Sequence, residues 1–297
     1  MSGQGLNMPL ETGKPLKTAW NGRGAKRSAL GLAMVIPSFL LLLFMIVVPI
    51  ATSIRESLTG SDGAFTWNNY KYLFTDPGMK ANILYTLNLT VVSSVIVLVI
   101  AYMLAVFLRF STGRLAGWIE KLYYIPMFIP SVIATYGMIN MYGNHGWLAR
   151  ILLLFTDAPF MKILYDYKGL LLANLWFNIP FATMMLSSAL SGVPNSVIES
   201  AKDIGAGKMQ IFFRIIFPMT FKSMLVAATF VVMGVIGSFT APFLIGPNAP
   251  QVLGVAMQQQ FSVYYETGIA SACAVFMFAI CSLVGYFYIR NMMKEER

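Results

Sequence analysis

Six blocks of predominantly apolar residues divide this chain, and each is long enough to cross the roughly 30 Å of a bilayer's hydrocarbon as a helix of about 20 residues. They run from about Leu30 to Ile54, Asn82 to Leu108, Trp118 to Tyr142, Gly169 to Leu190, Ser223 to Ile245 and Gly268 to Ile289. The pattern predicts an all-α membrane protein with six transmembrane helices. It divides into a polar tail (1–28), a first transmembrane helix (29–55), a loop (56–81), a five-helix core (82–290) and a short C-terminal tail (291–297). The first tail lacks a short apolar core followed by a cleavage site, so it does not read as a secretory signal.

Prolines interrupt the blocks. Pro37, Pro49, Pro126, Pro130, Pro180 and Pro242 all fall inside them. Each removes a helix hydrogen bond and tends to kink the helix, which a membrane tolerates where neighbouring helices or a cavity satisfy the freed groups. The stretch from Trp147 to Phe155 is apolar but too short to span. It suits a segment lying along the interface, with Trp147 at headgroup depth. The last loop, Gly246 to Tyr265, has no Lys or Arg and carries three consecutive glutamines, Gln258 to Gln260.

Hydrophobic residues make up 57% of the chain and charged residues only 11%, against about 25% charged in a soluble domain. A surface with so little charge does not face water. That overrides the reading of 297 residues as roughly two soluble domains. The net charge of +9 does not indicate nucleic acid, because the basic residues flank the apolar blocks and form no continuous patch. Fifteen of the 21 Lys and Arg residues fall on the side that holds both termini, the second-to-third loop and the fourth-to-fifth loop. The richer side is cytoplasmic, which places both termini inside. Cys273 and Cys281 lie in one apolar block, about 12 Å apart along a helix, too far for a disulfide. One histidine cannot build a zinc site, and no metal site is expected.

The most informative polar segment is the loop over residues 194–218. Pro194 and Asn195 can start a helix, and Glu199 sits in its early turns, where a carboxylate favours the positive helix end. Gly205 and Gly207 permit a sharp change of direction, and an apolar helix from Met209 to Phe217 leads on to the fifth block. Lys202, Asp203 and Lys208 surround this helix–Gly–helix unit, which suits a protein groove better than a lipid surface. The segment reads Glu199-Ser200-Ala201, three residues, Gly205, nine residues, then Ile215-Ile216-Phe217-Pro218. It resembles the signature loop of permease subunits of binding-protein-dependent ABC importers: Glu-Ala-Ala, three residues, Gly, nine residues, Ile-x-Leu-Pro. Ser200 and Phe217 are the two departures, both mild in size and polarity.

The resemblance implies the type I ABC importer permease fold and a division of labour. The loop would be a coupling helix docked in a groove on a cytoplasmic ATPase. Glu199 would contact that ATPase, Ala201 would sit against the groove and Gly205 would make the turn, with Ser200, Asp203, Gly207 and Pro218 completing the coupling set. The partners implied are two ATPase subunits, a second permease subunit (a homologous heteropartner), and an extracytoplasmic substrate-binding protein, assembled in the bacterial cytoplasmic (inner) membrane. The chain itself would not be an enzyme and would hold no cofactor. ATP and magnesium would sit in the partner ATPase, in keeping with the lack of a G-x-x-x-x-G-K-[ST] motif here.

The spelling Lys202-Asp203-Ile204-Gly205 is closer to the spermidine/putrescine, iron(III) and phosphonate-type permeases than to the sugar type, as is Phe239 to Gly246. A polyamine importer is therefore expected, with a sugar or glycerol-phosphate importer as the alternative. Against a polyamine, no Asp or Glu lies in the middle of a block, with Glu120 and Glu266 near block ends. Candidate residues of the translocation path are Tyr136, Asn140, Trp176, Asn178 and Phe239, polar or aromatic side chains of the third to fifth blocks. Each could equally be packing, and Asn88 and Asn174 equally bonds between helices. A secondary transporter would show internal repeats, and none is apparent. An intramembrane serine hydrolase needs a Ser–His pair, and the sole histidine, His145, lies in a loop.

Overall fold

A computed structural model of the protein describes residues 22–155 and 162–293. Among these residues the secondary structure is helical, apart from an isolated bridge between Thr59 and Phe65. The helices are α1 (Gly22–Ser57), α2 (Asn68–Thr75), α3 (Pro77–Phe110), α4 (Arg114–Leu122), α5 (Ile125–Phe128), α6 (Ser131–Tyr142) and α7 (Trp147–Leu152). They continue as α8 (Tyr167–Ser191), α9 (Asn195–Asp203), α10 (Lys208–Ile211), α11 (Phe217–Ile236), α12 (Thr240–Ile245), α13 (Leu253–Ser262) and α14 (Thr267–Met293). The tail predicted over 1–28 lies outside the described residues as far as residue 21, and from Gly22 the chain is already helical. Within the 291–297 tail, residues 294–297 likewise lie outside them.

The chain divides into two units at residue 51. The first holds most of α1, whose apolar side chains from Leu32 to Val48 are exposed. An apolar, exposed helix of this length suits lipid.

The second unit is built on α3 and α8, which pack along their length. Asp76 caps α3, its Oδ1 accepting from the Met79 N–H at 2.8 Å, and Pro77 occupies the first turn, where a missing N–H costs nothing. Ser93, Ser94, Ala101 and Ala105 of α3 and Ala173, Asn174, Ala182 and Thr183 of α8 are buried. Small residues of this kind let membrane helices approach closely. Asn174 Nδ2 donates to Ser93 Oγ at 3.1 Å and the Tyr167 hydroxyl donates to Asn88 Oδ1 at 2.8 Å, so both asparagines bond between helices. α11 lies against α3 and α8, and α14 against α11.

Five helices are long and apolar enough to cross a membrane, and a sixth span exists if one bent pair is counted as one. That pair corrects the continuous third span predicted over 118–142. The chain turns by 108° between Arg114–Phe128 and Ser131–Leu152. The cause is local. Ile129 is extended (φ −92°, ψ 120°), as the residue before a proline prefers, and Pro130 follows at φ −54°, ψ 137°. α6 has 12 residues, about 18 Å of rise. Pro126 and Pro130 thus start helices instead of kinking one.

The fifth span also differs from its predicted range, 223–245. The helix runs continuously from Lys208 to Ile236 through a π turn at Phe212–Ile216. It stops at Gly237, whose N–H donates to the Met233 carbonyl at 3.0 Å, and Pro242 belongs to the separate α12. Cys273 and Cys281 are free thiols. His145 is an exposed turn residue whose carbonyl accepts from Arg150 Nε at 3.1 Å.

Near the N-terminal end of α3, α13 is held by its backbone. Asn82 Oδ1 accepts from the Gln251 N–H at 2.7 Å, and Thr86 Oγ1 accepts from the Leu253 N–H at 2.8 Å. The start of α14 lies against Asn69, whose Nδ2 donates to the carbonyls of Ser57 at 2.9 Å and Thr59 at 3.1 Å beside Gly268.

Candidate functional site

The segment between α8 and α11 folds as one compact unit. Pro194, extended at φ −65° and ψ 134°, precedes α9. α9 ends in a left-handed turn. The Ala206 N–H donates to the Ala201 carbonyl at 3.0 Å and the Gly205 N–H to the Lys202 carbonyl at 2.8 Å. This bond pair is the Schellman cap, which places a positive φ one residue past the C-cap, here Ile204. Gly205 occupies that place at φ +84°. A Cβ there would meet no atom within 4 Å, so the requirement for glycine comes from the backbone alone. Gly207, predicted to share the turn, lies at φ −71° and ψ 159°, a conformation open to any residue. Only Gly205 makes the turn.

The unit has two faces. Ile198, Ala201, Ile211 and Ile216 point inward and join Val97, Ala101 and Ala105 of α3 and Leu186 and Leu190 of α8 in one core cluster. The 6% exposure of Ala201 corrects the expectation that it sits against a partner's groove: it packs in this chain's own core. The outward face carries Glu199, Ser200, Lys202, Asp203 and Ile204, all exposed, with Ile204 at 86%. Beside it lies a groove of about 440 Å³ lined by Val106, Phe110, Lys202, Met209 and Phe212. Pro218 stands in the first turn of α11 just after the π turn, where the Phe217 N–H reaches back five residues to the Phe212 carbonyl.

Two bonds from α3 hold the unit at its ends. Arg109 Nη2 donates to Asn195 Oδ1 at 2.6 Å, and the hydroxyls of Tyr102 and Thr220 are 2.6 Å apart. Sequence reasoning missed Arg109, Tyr102 and Thr220 in this role. Arg109 counted only as a flanking charge, and Tyr102 was one aromatic inside an apolar block.

The five candidate path residues fall on three elements. Tyr136 and Asn140 lie one turn apart on α6, both exposed, with Asn140 Nδ2 donating to the Tyr136 carbonyl at 3.0 Å. Trp176 is 41% exposed on α8. Phe239 precedes α12 and stacks on Phe243 at 5.2 Å. α12 packs against both α6 and α8. Asn178 is different. Its Nδ2 donates to the Asn174 carbonyl at 2.9 Å, and its Oδ1 would lie 3.0 Å from a Cβ at Gly234 of α11. It fills a helix–helix contact.

A separate cavity of about 600 Å³ opens near the N-terminal end of α3. Its lining includes Asp76, Glu266, Tyr72, Tyr264, Gln259 and Gln260, and no Lys or Arg. Burial, with Asp76 nearby, pushes the Tyr72 phenol above its usual range, so it remains a neutral donor and acceptor there.

A bundle of apolar, membrane-length helices with one compact polar unit folded against the ends of two of them has the architecture of an ABC importer permease. A bacterial alginate ABC transporter solved with an alginate pentasaccharide-bound periplasmic protein superposes with a TM-score of 0.78 at 17% identity, covering 93% of this chain and 97% of that one. The family described as the binding-protein-dependent transport system inner membrane component matches residues 98–294, and the chain belongs to that family. The spermidine/putrescine transport system permease protein PotB of Escherichia coli (strain K12) is 26% identical over 228 residues, covering 76% of this chain and 82% of that protein. The thiamine transport system permease protein ThiP of Haemophilus influenzae is 25% identical over 242 residues, 80% of this chain and 44% of that protein.

Proposed function

We propose that this chain is the translocation subunit of an ATP-driven polyamine importer, and that residues 194–218 are its docking loop for a cytoplasmic ATPase. The observation that carries the docking role is the two-faced loop. Its inner face is fixed in the chain's own core, while Glu199, Ser200, Lys202, Asp203 and Ile204 are presented outward around the Gly205 turn. An apolar Ile204 at 86% exposure within a charged rim suits the centre of a protein contact better than open water.

In this reading the loop, both termini and the C-terminal end of α3 face the cytoplasm. Two ATPase subunits bind ATP and magnesium, a second permease subunit completes the path, and an extracytoplasmic protein delivers the solute. Tyr136, Trp176 and Phe239 line that path, and the exposed aromatic faces suit passage of an organic cation. The cavity lined by Asp76 and Glu266 opens on the outer side, where its two carboxylates attract a polyamine. Similarity to PotB supports the same substrate class.

The test has two arms. Cells lacking the chain are expected to lose saturable uptake of radiolabelled spermidine and to regain it with the wild-type protein. Unchanged spermidine and putrescine uptake, with loss of thiamine or sugar uptake, overturns the substrate. Glu199→Lys is expected to lower uptake by at least about tenfold, the effect of about 1.4 kcal/mol, while membrane insertion is normal. Normal uptake in that variant rejects the docking role.

A further inference from the structure

We infer that α3 transmits the displacement of the docking loop to the far side of the molecule, with Arg109 and Tyr102 as the residues that clamp the loop to it. The inference rests on the docking role proposed for residues 194–218.

A loop pushed by a partner moves the rest of the chain only through connections stiff enough to carry load. The connection to α8 is a short turn through Gly192, Val193 and Pro194. The connection to α11 is helical but passes through the π turn and then Pro218, which has no N–H to donate. Wide turns of this kind interrupt the regular helix ladder and recur at functional sites. Neither connection alone is a stiff rod.

α3 braces both. Arg109, in its last turn, donates from Nη2 to Asn195 Oδ1 at 2.6 Å and to the Val193 carbonyl at 3.4 Å, which holds the start of α9. Tyr102 lies seven residues earlier, about 10.5 Å along the axis and on nearly the same face. Its hydroxyl meets Thr220 Oγ1 at 2.6 Å, and both residues are buried. Thr220 Oγ1 also donates to the Ile216 carbonyl at 2.9 Å, so the Tyr102 hydroxyl supplies the proton between the two side chains. The Tyr102 ring lies 5.8 Å from each of Phe212 and Phe217, edge-on to both. The π turn is therefore braced by a side chain of α3 at each of its ends.

The other end of α3 is clamped as well. Asn82 and Thr86 accept the backbone N–H groups of Gln251 and Leu253 just ahead of and at the start of α13. One helix of 34 residues, about 51 Å long, thus bonds the docking loop at its C-terminal end and the α13 segment at its N-terminal end. Movement of the loop carries α13 with it.

The test uses the complete transporter with its ATPases in nanodiscs, in a Cys273→Ala, Cys281→Ala background. Ser262→Cys, at the end of α13, reports by its rate of labelling with a membrane-impermeant maleimide, with and without trapping of the ATPases by ATP plus vanadate. Trapping is expected to change that rate by at least about fivefold in the parent, the lower range of allosteric coupling. Tyr102→Phe and Arg109→Gln are expected to cut the change to less than about twofold while ATP hydrolysis and vanadate trapping continue, and Thr220→Ser, which keeps the hydroxyl, is expected to retain it. A parental response in Tyr102→Phe and Arg109→Gln overturns transmission through α3 and leaves the docking role standing. No response in the parent, with Glu199→Lys also silent on uptake, overturns both. A response lost only in step with loss of assembled complex overturns the inference too, because the bonds are then merely structural.

Discussion

At position 201 the side chain lies one residue from the exposed Ser200, yet it faces α3 and α8. Ala201 is 6% exposed and its methyl group packs among the core side chains. Ala201→Leu is expected to destabilise the chain by about 1–3 kcal/mol through overpacking. Its neighbour Ser200→Leu is expected to change stability by less than about 0.5 kcal/mol, as surface positions do. Thermal unfolding of the detergent-solubilised complex measures both, and equal effects would reject the two-faced loop. Gly205 acts differently. Its φ of +84° strains any L side chain, although space is available. Gly205→Ala is therefore expected to loosen the end of α9 by about 1 kcal/mol and to reduce uptake, with faster hydrogen exchange at the Ala206 amide as the direct readout.

At the scale of elements, the first turn of α14 lies close against Asn69 and the Thr59 carbonyl. A Cβ at Gly268 would lie 2.6 Å from Asn69 Nδ2 and 3.0 Å from the Thr59 carbonyl. Gly268→Ala is expected to break the Asn69 bonds to Ser57 and Thr59 and to cost about 1–3 kcal/mol, seen as faster proteolysis between α1 and α2. This contact was not legible in the sequence, because Gly268 reads simply as the edge of an apolar block and its partner lies 199 positions earlier. What the sequence did carry was length and hydropathy. The membrane-length helices α1, α3, α8 and α14 fall where their apolar blocks lie, and the Glu199–Pro218 spacing located the helix–Gly–helix loop. The bend at Ile129–Pro130 was hidden for a physical reason. A broken pair and one kinked span bury the same composition, and only the extended ψ of the residue before proline separates them. The end of α11 was hidden similarly, since Phe239 to Ile245 is as apolar as a helix interior. Facing direction was the other gap: periodicity over nine residues of α9 does not say which side meets the rest of the fold.

At the scale of the whole chain, exposed apolar side chains gather beside irregular backbone. Phe128, Val132 and Ile133, from the end of α5 and the first turn of α6, and Phe243 of α12 are exposed, and the broken backbone at Ile129–Pro130 lies among them. Irregular backbone at membrane depth persists only where protein or a water-filled cavity covers it. The chain produced alone is expected to be degraded or aggregated, and to be protected by co-expression with a second permease subunit. Quantitative blotting and native mass in detergent measure this, and a monodisperse monomer that moves solute without ATP would contradict it. The two-faced loop has a further consequence for how such transporters diversify. Its shape is set by inward-facing Ile198 and Ala201, by the backbone of Gly205 and by the braced turn before Pro218. The outward positions contribute little to that shape. Under the proposed docking role, the residues that shape the loop, those that meet the motor and those that line the solute path form separate sets, so cargo and engine can change independently.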